Sequence, residues 1–431
     1  MAVFDQGALN DGVKKREVFG WAMYDFANSG YTTVVITAVF AAYFVGGVAN
    51  GAAWATFAWT LALSLSYAIV MLTMPSLGAW ADIRAAKKRL LVVFTVGCVA
   101  STAALALAGP GTVALAFVLI IASNTFYSYG ESLTASFLPE LARPQAMGKV
   151  SGWGWGFGYF GGMLALGICL GFVLWAGANG MSANQFVPVT MLITAFIYGA
   201  AACVTFALLR ERARPRLSLS AQGGIRASLL QLAATFREAR RYKDFIWLLA
   251  CAVFYQGGVA VAITLAAIYA EQVIGFVQKE TMVLIFVLNL AAALGAFSFG
   301  YVQDRVGHKL ALGATLVGWI ATCIIAALTT SKGGFWYAAA IAGLCMGSSQ
   351  SAGRAMAGVL APPGQLGEFF GLWTFEIRLA SIFGPLMYGL ITWMTGGNQR
   401  IAIGSTAILF AVGLVLLQKV DMARGRQAAI A

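Results

Sequence analysis

The sequence predicts an all-α membrane protein in which twelve spanning helices form two pseudo-symmetric bundles of six. Three observations carry this: an apolar composition, twelve long apolar stretches, and a loop signature that occurs twice, half a chain apart. Of 431 residues, 60% are hydrophobic and only 10% charged, with a mean hydropathy of +0.81. A soluble domain of that length cannot hide so much apolar surface, so the bilayer must solvate most of the chain. A spanning helix needs about 20 mostly apolar residues. Stretches of that kind lie at 18–44, 54–80, 90–109, 112–138, 150–176, 187–209, 245–270, 281–302, 310–329, 334–358, 369–395 and 401–418, the third and twelfth being short for a span. None alternates with the period of two that a barrel strand would show.

The net charge of +12 resembles a nucleic-acid signal until its placement is read. With these spans, 23 of the 28 Lys and Arg fall in the N-terminal tail, the loops leaving even-numbered helices, or the C-terminal tail. Nine lie between Arg210 and Lys243, whereas the opposite loops at 45–53 and 177–186 carry none. That asymmetry is the positive-inside pattern, so both termini are expected in the cytoplasm and no nucleic-acid partner is expected. The first 17 residues are polar and do not read as a cleaved signal peptide. All six cysteines fall within predicted helices without paired spacing and read as small packing residues; no metal or cofactor site is expected.

The one long hydrophilic interruption, 210–244, divides the chain into an N-terminal bundle (1–209) and a C-terminal bundle (245–431). Inside it Ile225, Leu229, Leu232 and Phe236 recur at helical spacing among Arg226, Arg237, Arg240 and Arg241. This predicts a basic amphipathic helix against the inner leaflet. The repeated signature reads Gly78-Ala79-Trp80-Ala81-Asp82, then Lys87-Lys88-Arg89, and again Gly300-Tyr301-Val302-Gln303-Asp304-Arg305, then Gly307-His308-Lys309. Glycine lets helices approach, aspartate can hold a helix end, and the basic residues keep the loop inside. Gly78, Asp82, Gly300, Asp304 and Arg305 are therefore candidate gating residues. The same spacing, near 220 residues, separates Leu138-Pro139-Glu140 from Ala361-Pro362-Pro363.

This duplicated signature resembles the loop motif of the major facilitator superfamily, whose halves are related by a parallel repeat. Further segments narrow the resemblance. Trp21-Ala22-Met23-Tyr24-Asp25-Phe26-Ala27-Asn28-Ser29-Gly30-Tyr31 is similar to the first helix of the branch that includes the fungal autophagy-related vacuolar amino-acid effluxers. So are Gly148-Lys149-Val150-Ser151-Gly152, Gly158-Tyr159-Phe160-Gly161-Gly162, the pair Gln350 and Arg354, and Glu368-Phe369-Phe370-Gly371. Ala41 and Ala135 depart from the pattern, standing where proline and asparagine are common. The resemblance implies the major facilitator fold and secondary transport.

Charged side chains inside the membrane are costly and mark pathways or inter-helix partners. Asp25, Asn28, Ser29 and Thr32 share one face of the first helix; Asn124, Ser128 and Glu131 share one on the fourth; Gln350, Ser351 and Arg354 share one on the tenth. Glu131 and Arg354 occupy equivalent repeat positions, which predicts an ion pair or gate between the halves. Glu376 and Arg378 lie about ten residues into the eleventh helix, ~15 Å from its start, but two residues apart they cannot face the same way. The candidate substrate and proton-coupling residues are thus Asp25, Asn28, Glu131, Gln350, Arg354, Glu376 and Arg378. Tyr24, Asn124, Trp153, Gln256 and Trp373 are candidates to line the cavity. Gly154, Gly158 and Gly162 read as a helix-packing seam.

Enzyme motifs are absent: no phosphate-binding loop, nucleophile triad or metal cluster appears. The leading expectation is a monomeric secondary active transporter of the bacterial inner membrane. It would move a small polar solute, amino acids among them, by alternating access, and a carboxylate away from water could exchange the coupling proton. Two alternatives are an exporter of amphipathic compounds or lipids, and a non-transporting receptor on the same fold.

Overall fold

The computed structural model describes residues 4–52, 54–213, 237, 239–276 and 278–430. Twelve long helices form among the described residues. The N-terminal six are α1 (Lys15–Tyr31, prolonged by π-helical turns to Val48), α2 (Ala55–Arg84), α3 (Lys87–Ala104), α4 (Val113–Ala135), α5 (Met147–Ala178) and α6 (Ala183–Leu208). The C-terminal six are α7 (Lys243–Tyr269), α8 (Gln278–Val306), α9 (His308–Leu328), α10 (Lys332–Leu360), α11 (Leu366–Met394) and α12 (Gln399–Leu417), with a short α13 (Met422–Ile430) behind them. Each apolar stretch read from the sequence became one of the twelve. The amphipathic linker helix expected from Ile225 to Phe236 lies outside the described residues.

Two elements differ from expectation. The first helix is not uniform: π turns occupy Thr32–Ala38 and Phe44–Val48, with a break at Val39. Thr32, Thr33, Val34, Val35, Ile36 and Thr37 are all β-branched and crowd a regular helix, and Gly46 and Gly47 loosen the second turn. The chain thus bends here although Ala41 replaces a proline. The tenth helix is the least apolar. Eleven helices qualify as spans by length and composition, and Lys332–Leu360 is not among them. Its run of Gly, Ser, Gln and Arg from 347 to 354 is turned inward, where Ser348, Ser349, Ser351 and Arg354 are buried.

The exterior is apolar, with Ile69, Val96, Phe196, Leu294, Leu386 and Trp393 among its large exposed side chains. Inside, one hydrophobic core binds the first six helices and two more bind the last six. A small fourth cluster, Tyr159 with Ala292, Ala293 and Ala296, joins α5 to α8 across the halves. Five cysteines are buried and Cys203 is exposed; all are unbridged.

Glycine decides how closely the helices cross. A Cβ on Gly158 would meet Ser29 Oγ at 2.9 Å, and one on Gly162 would meet Thr33 Oγ1 at 2.8 Å. The Gly154-Gly158-Gly162 face is therefore the α5–α1 seam, as its spacing predicts. In the other half, Gly343 sits against Ala291 and Leu288, and Gly347 against the Ala292 carbonyl. Gly347→Ala drives a methyl into backbone and is expected to destabilise the protein by about 1–3 kcal/mol. Gly333→Ala, facing open space, should leave stability unchanged. Thermal melting of both variants in detergent checks the contrast, and equal melting points would contradict the seam.

Candidate functional site

The first and last described residues lie at one end of the bundle, called here the terminal end. Asp5 ion-pairs with Lys149 at the start of α5, Asn10 bonds the Pro139 carbonyl, and Arg424 of α13 pairs with Asp244 at the start of α7. Asp5 lies outside the spans; the Gly7 N–H and the Lys149 ammonium hold its carboxyl below the usual range. Glu140 pairs with Lys87, and Glu211 accepts the backbone N–H groups of Lys87 and Lys88, which ties the loops of the first half together.

At this end the repeated signature joins the halves. Asp304, near the end of α8, accepts the N–H groups of Gly148 and Lys149 at 2.9 Å each, which are the first turn of α5. Asp82, near the end of α2, accepts the Glu368 N–H at 3.0 Å, in the first turn of α11. A helix start presents unsatisfied donors and partial positive charge, so a carboxylate is its natural partner. The glycines make the approach possible. Gly78 packs on the Gly367 carbonyl and Gly300 on the Gly148 carbonyl, with no room for a side chain at either. Arg305 is exposed beside this contact.

Deeper in the bundle two ion pairs cross the interface. Arg354 of α10 donates from Nη1 to Asp25 of α1 at 2.7 Å and from Nη2 to the Ser151 carbonyl of α5 at 2.9 Å. Its Nε lies 3.2 Å from Ser151 Oγ, and Trp21 and Trp155 flank the guanidinium at 4.8 and 5.2 Å. Arg378 of α11 pairs with Glu131 of α4 at 2.5 Å, under the rings of Tyr67 and Tyr127. In both pairs the acid belongs to the first half and the arginine to the second. The Glu131 side chain is 31% exposed, against 11% for Asp25.

The expected Glu131–Arg354 pair does not form; each takes another partner, because α1 and α5 intervene and carry Asp25 and Ser151 to Arg354. Other candidates also moved. Tyr24 is fully buried within the first half, bonded to Thr95 Oγ1 at 2.8 Å, so it does not line the interface. Trp153 packs edge-on against Phe4 and donates to Tyr301 Oη at 3.2 Å near the terminal end. Trp155, two residues on, faces Arg354 instead. Asn124 donates to Ser66 within the first half. Gln256 donates to Gln350 at 2.8 Å within the second. Trp373 lies against Gly353, and Asn28 accepts from Tyr198 Oη at 2.8 Å. Glu376 points away from the interface, back toward α7, since Arg378 takes the interface side. Sequence reasoning passed over Tyr67, Tyr127, Trp21 and Ser151 as functional residues; the four-residue spacing that puts Tyr127 and Glu131 on one helix face was a usable signal. Among the described residues no three His, Cys, Asp or Glu side chains gather as a metal cluster.

The family described as "Vacuole effluxer Atg22 like" matches residues 43–430. The chain belongs to this family. An uncharacterised MFS-type transporter of Bacillus subtilis, YxiO, is 28% identical over 408 residues, 92% of this chain and 93% of its own. Autophagy-related protein 22-1 of Neosartorya fischeri is 28% identical over 310 residues, 66% of this chain but only 49% of its own length. The human organic anion transporter MFSD10 superposes with a TM-score of 0.75 at 16% identity, over 94% of this chain and 99% of its own. This Atg22-like chain is thus an integral membrane transporter of the major facilitator superfamily, not an enzyme.

In the Atg22-like chain, each capping aspartate uses its oxygens as acceptors only. An amide at Asp304 would place a donor against one of two backbone N–H groups, costing about 0.5–2 kcal/mol of the closed contact. Asp82→Asn and Asp304→Asn are expected to lower transport several fold while leaving ligand affinity within a few fold. Equilibrium binding that vanished in either variant would place the residue in the binding site instead.

Proposed function

We propose that this transporter moves a small zwitterionic solute, with amino acids the leading class, by alternating access driven by a proton gradient. The observation that carries the reading is the Glu131–Arg378 pair with its two tyrosine rings. It offers a carboxylate, a guanidinium and aromatic faces together, on a carboxylate that is only partly covered. A zwitterion can exchange partners with such a pair, its carboxylate on Arg378 and its ammonium on Glu131 and the rings. The family description, a vacuole effluxer, supports transport of a solute, and the resemblance of the first helix to the vacuolar amino-acid effluxers supports an amino-acid-like cargo.

The moving units are the halves 1–209 and 245–431, joined by 210–244, and the working form is a monomer in the plasma membrane of a bacterium. The loop-charge asymmetry supports cytoplasmic termini, and with that orientation the conformation described is sealed on the cytoplasmic side. The proton is exchanged at one of the membrane carboxylates Asp25, Glu131 or Glu376, with Asn28 and Gln350 as polar neighbours of the path.

Two measurements test this. A thermal-shift screen of purified protein across amino acids, sugars, nucleosides and peptides should give stabilisation by amino acids. Arg378→Ala should then weaken binding of the best hit by about 2–5 kcal/mol, the cost of removing one partner of a desolvated charge pair. A hit confined to neutral sugars would overturn the zwitterion reading. For orientation, Asn179→Cys and Gln145→Cys, both exposed and at opposite ends, should label from outside and inside respectively.

A further inference from the structure

The interface accounts for Asp25 and Glu131, each held by an arginine, but leaves one membrane carboxylate unused. Glu376 is 2% exposed, and neither of its oxygens has a hydrogen-bond partner. On α7 the fully buried Tyr255 is an electrostatic neighbour of Glu376, and its hydroxyl likewise has no hydrogen-bond partner. The titratable groups facing Glu376 are Tyr255 and Cys251, both on α7, and the Cys251 thiol is directed to the Gly413 carbonyl. Other charges near α11 are engaged elsewhere. Arg354 on α10 turns into the first half, and Arg378, Glu131, Tyr67 and Tyr127 occupy the opposite face of α11. On α12 the one charged side chain, Arg400, bonds the Ala327 and Thr329 carbonyls at the far end.

An ionised carboxylate with no donor and no cation beside it is not sustainable in this surrounding, whereas the neutral acid is. We propose that Glu376 and Tyr255 form a proton-binding site inside the C-terminal half, off the solute path, occupied while the terminal end is closed and emptied when it opens. This rests on the transport reading above and names which of the three carboxylates carries the proton.

The link to opening runs through Arg354. The Tyr255 hydroxyl abuts Gly353, where a Cβ would collide with it and with Trp373. The next residue, Arg354, makes its hydrogen bonds and ring contacts with first-half groups: Asp25, Ser151, Trp21 and Trp155. Separation of the halves removes all of these together. A guanidinium is then left in the C-terminal half without a counter-charge, next to the residue that touches Tyr255. In that state the O–H bond of the Glu376 acid breaks, its proton passes to water, and the carboxylate balances Arg354.

Infrared spectroscopy of the full chain in lipid nanodiscs reads this without a known solute. At neutral pH the wild type should show the carbonyl band of a protonated carboxylic acid. The band should vanish in Glu376→Gln, persist at a shifted position in Glu376→Asp, and remain in Glu131→Gln. Gly152→Leu and Gly78→Leu, which wedge two different inter-half seams against backbone carbonyls, should each diminish the band. Elution profiles and melting curves confirm that each variant is folded. A band that survives in Glu376→Gln, or disappears in Glu131→Gln, overturns the site. A band unchanged in both folded wedge variants overturns its coupling to opening. The transport reading fails separately, by an absence of solute binding in the wild type, which would leave the infrared result standing.

Discussion

Two helix starts held by carboxylates from the opposite half are the contact on which the rest of this conformation depends. Asp304 takes the first N–H groups of α5 and Asp82 those of α11, so each half closes on an end the other half cannot satisfy alone. A helix start needs acceptors, and in a low-dielectric setting an unfilled one costs free energy comparable to a lost hydrogen bond. Because the two contacts are related by the internal repeat, they act at opposite sides of the seam and fix its angle as well as its distance. The glycines at 78 and 300 are required by the same geometry, since any side chain would separate carboxylate from helix.

Behind these contacts the interface is polarised: acids from the first half, arginines from the second. Such an arrangement attracts across the seam and sets like charges together within each half, so closing the halves relieves repulsion as well as forming the pairs. It also concentrates the consequences in few residues. Arg354 bridges α10 to both α1 and α5, and its Trp21 and Trp155 flanks cover the pair. The Glu131–Arg378 pair is less enclosed, and that difference separates a structural closure from a place where a solute can compete.

Much of this was legible in the residues. Twelve apolar stretches became twelve helices because a bilayer imposes the same length on each, and the Gly78/Gly300 repeat announced the two halves. The seam at Gly154, Gly158 and Gly162 was readable because small residues four apart have one main use in a membrane. Partner choice was not. Glu131 and Arg354 stand at equivalent positions, yet helix rotation and tilt decide pairing, and a shift of one residue turns a side chain by about 100°. The same uncertainty misplaced Tyr24 and Trp153, which share a pattern with interface residues but face inward or toward the terminal end. Glu376 and Arg378 were correctly expected to diverge; which one would meet the other half depended on α2 and α4, elements far away in the chain.

The inward polar face of α10 has a consequence for how the protein is made. Lys332–Leu360 is not apolar enough by composition to qualify as a span, unlike the eleven others. A nascent segment of that kind partitions poorly into lipid by itself and enters the membrane by leaning on a helix already there. The glycine-lined groove formed by Gly343 and Gly347 against α8 supplies that companion, two helices earlier in synthesis. Biogenesis of the C-terminal half therefore has an order: α8 must be in place before α10 can stay.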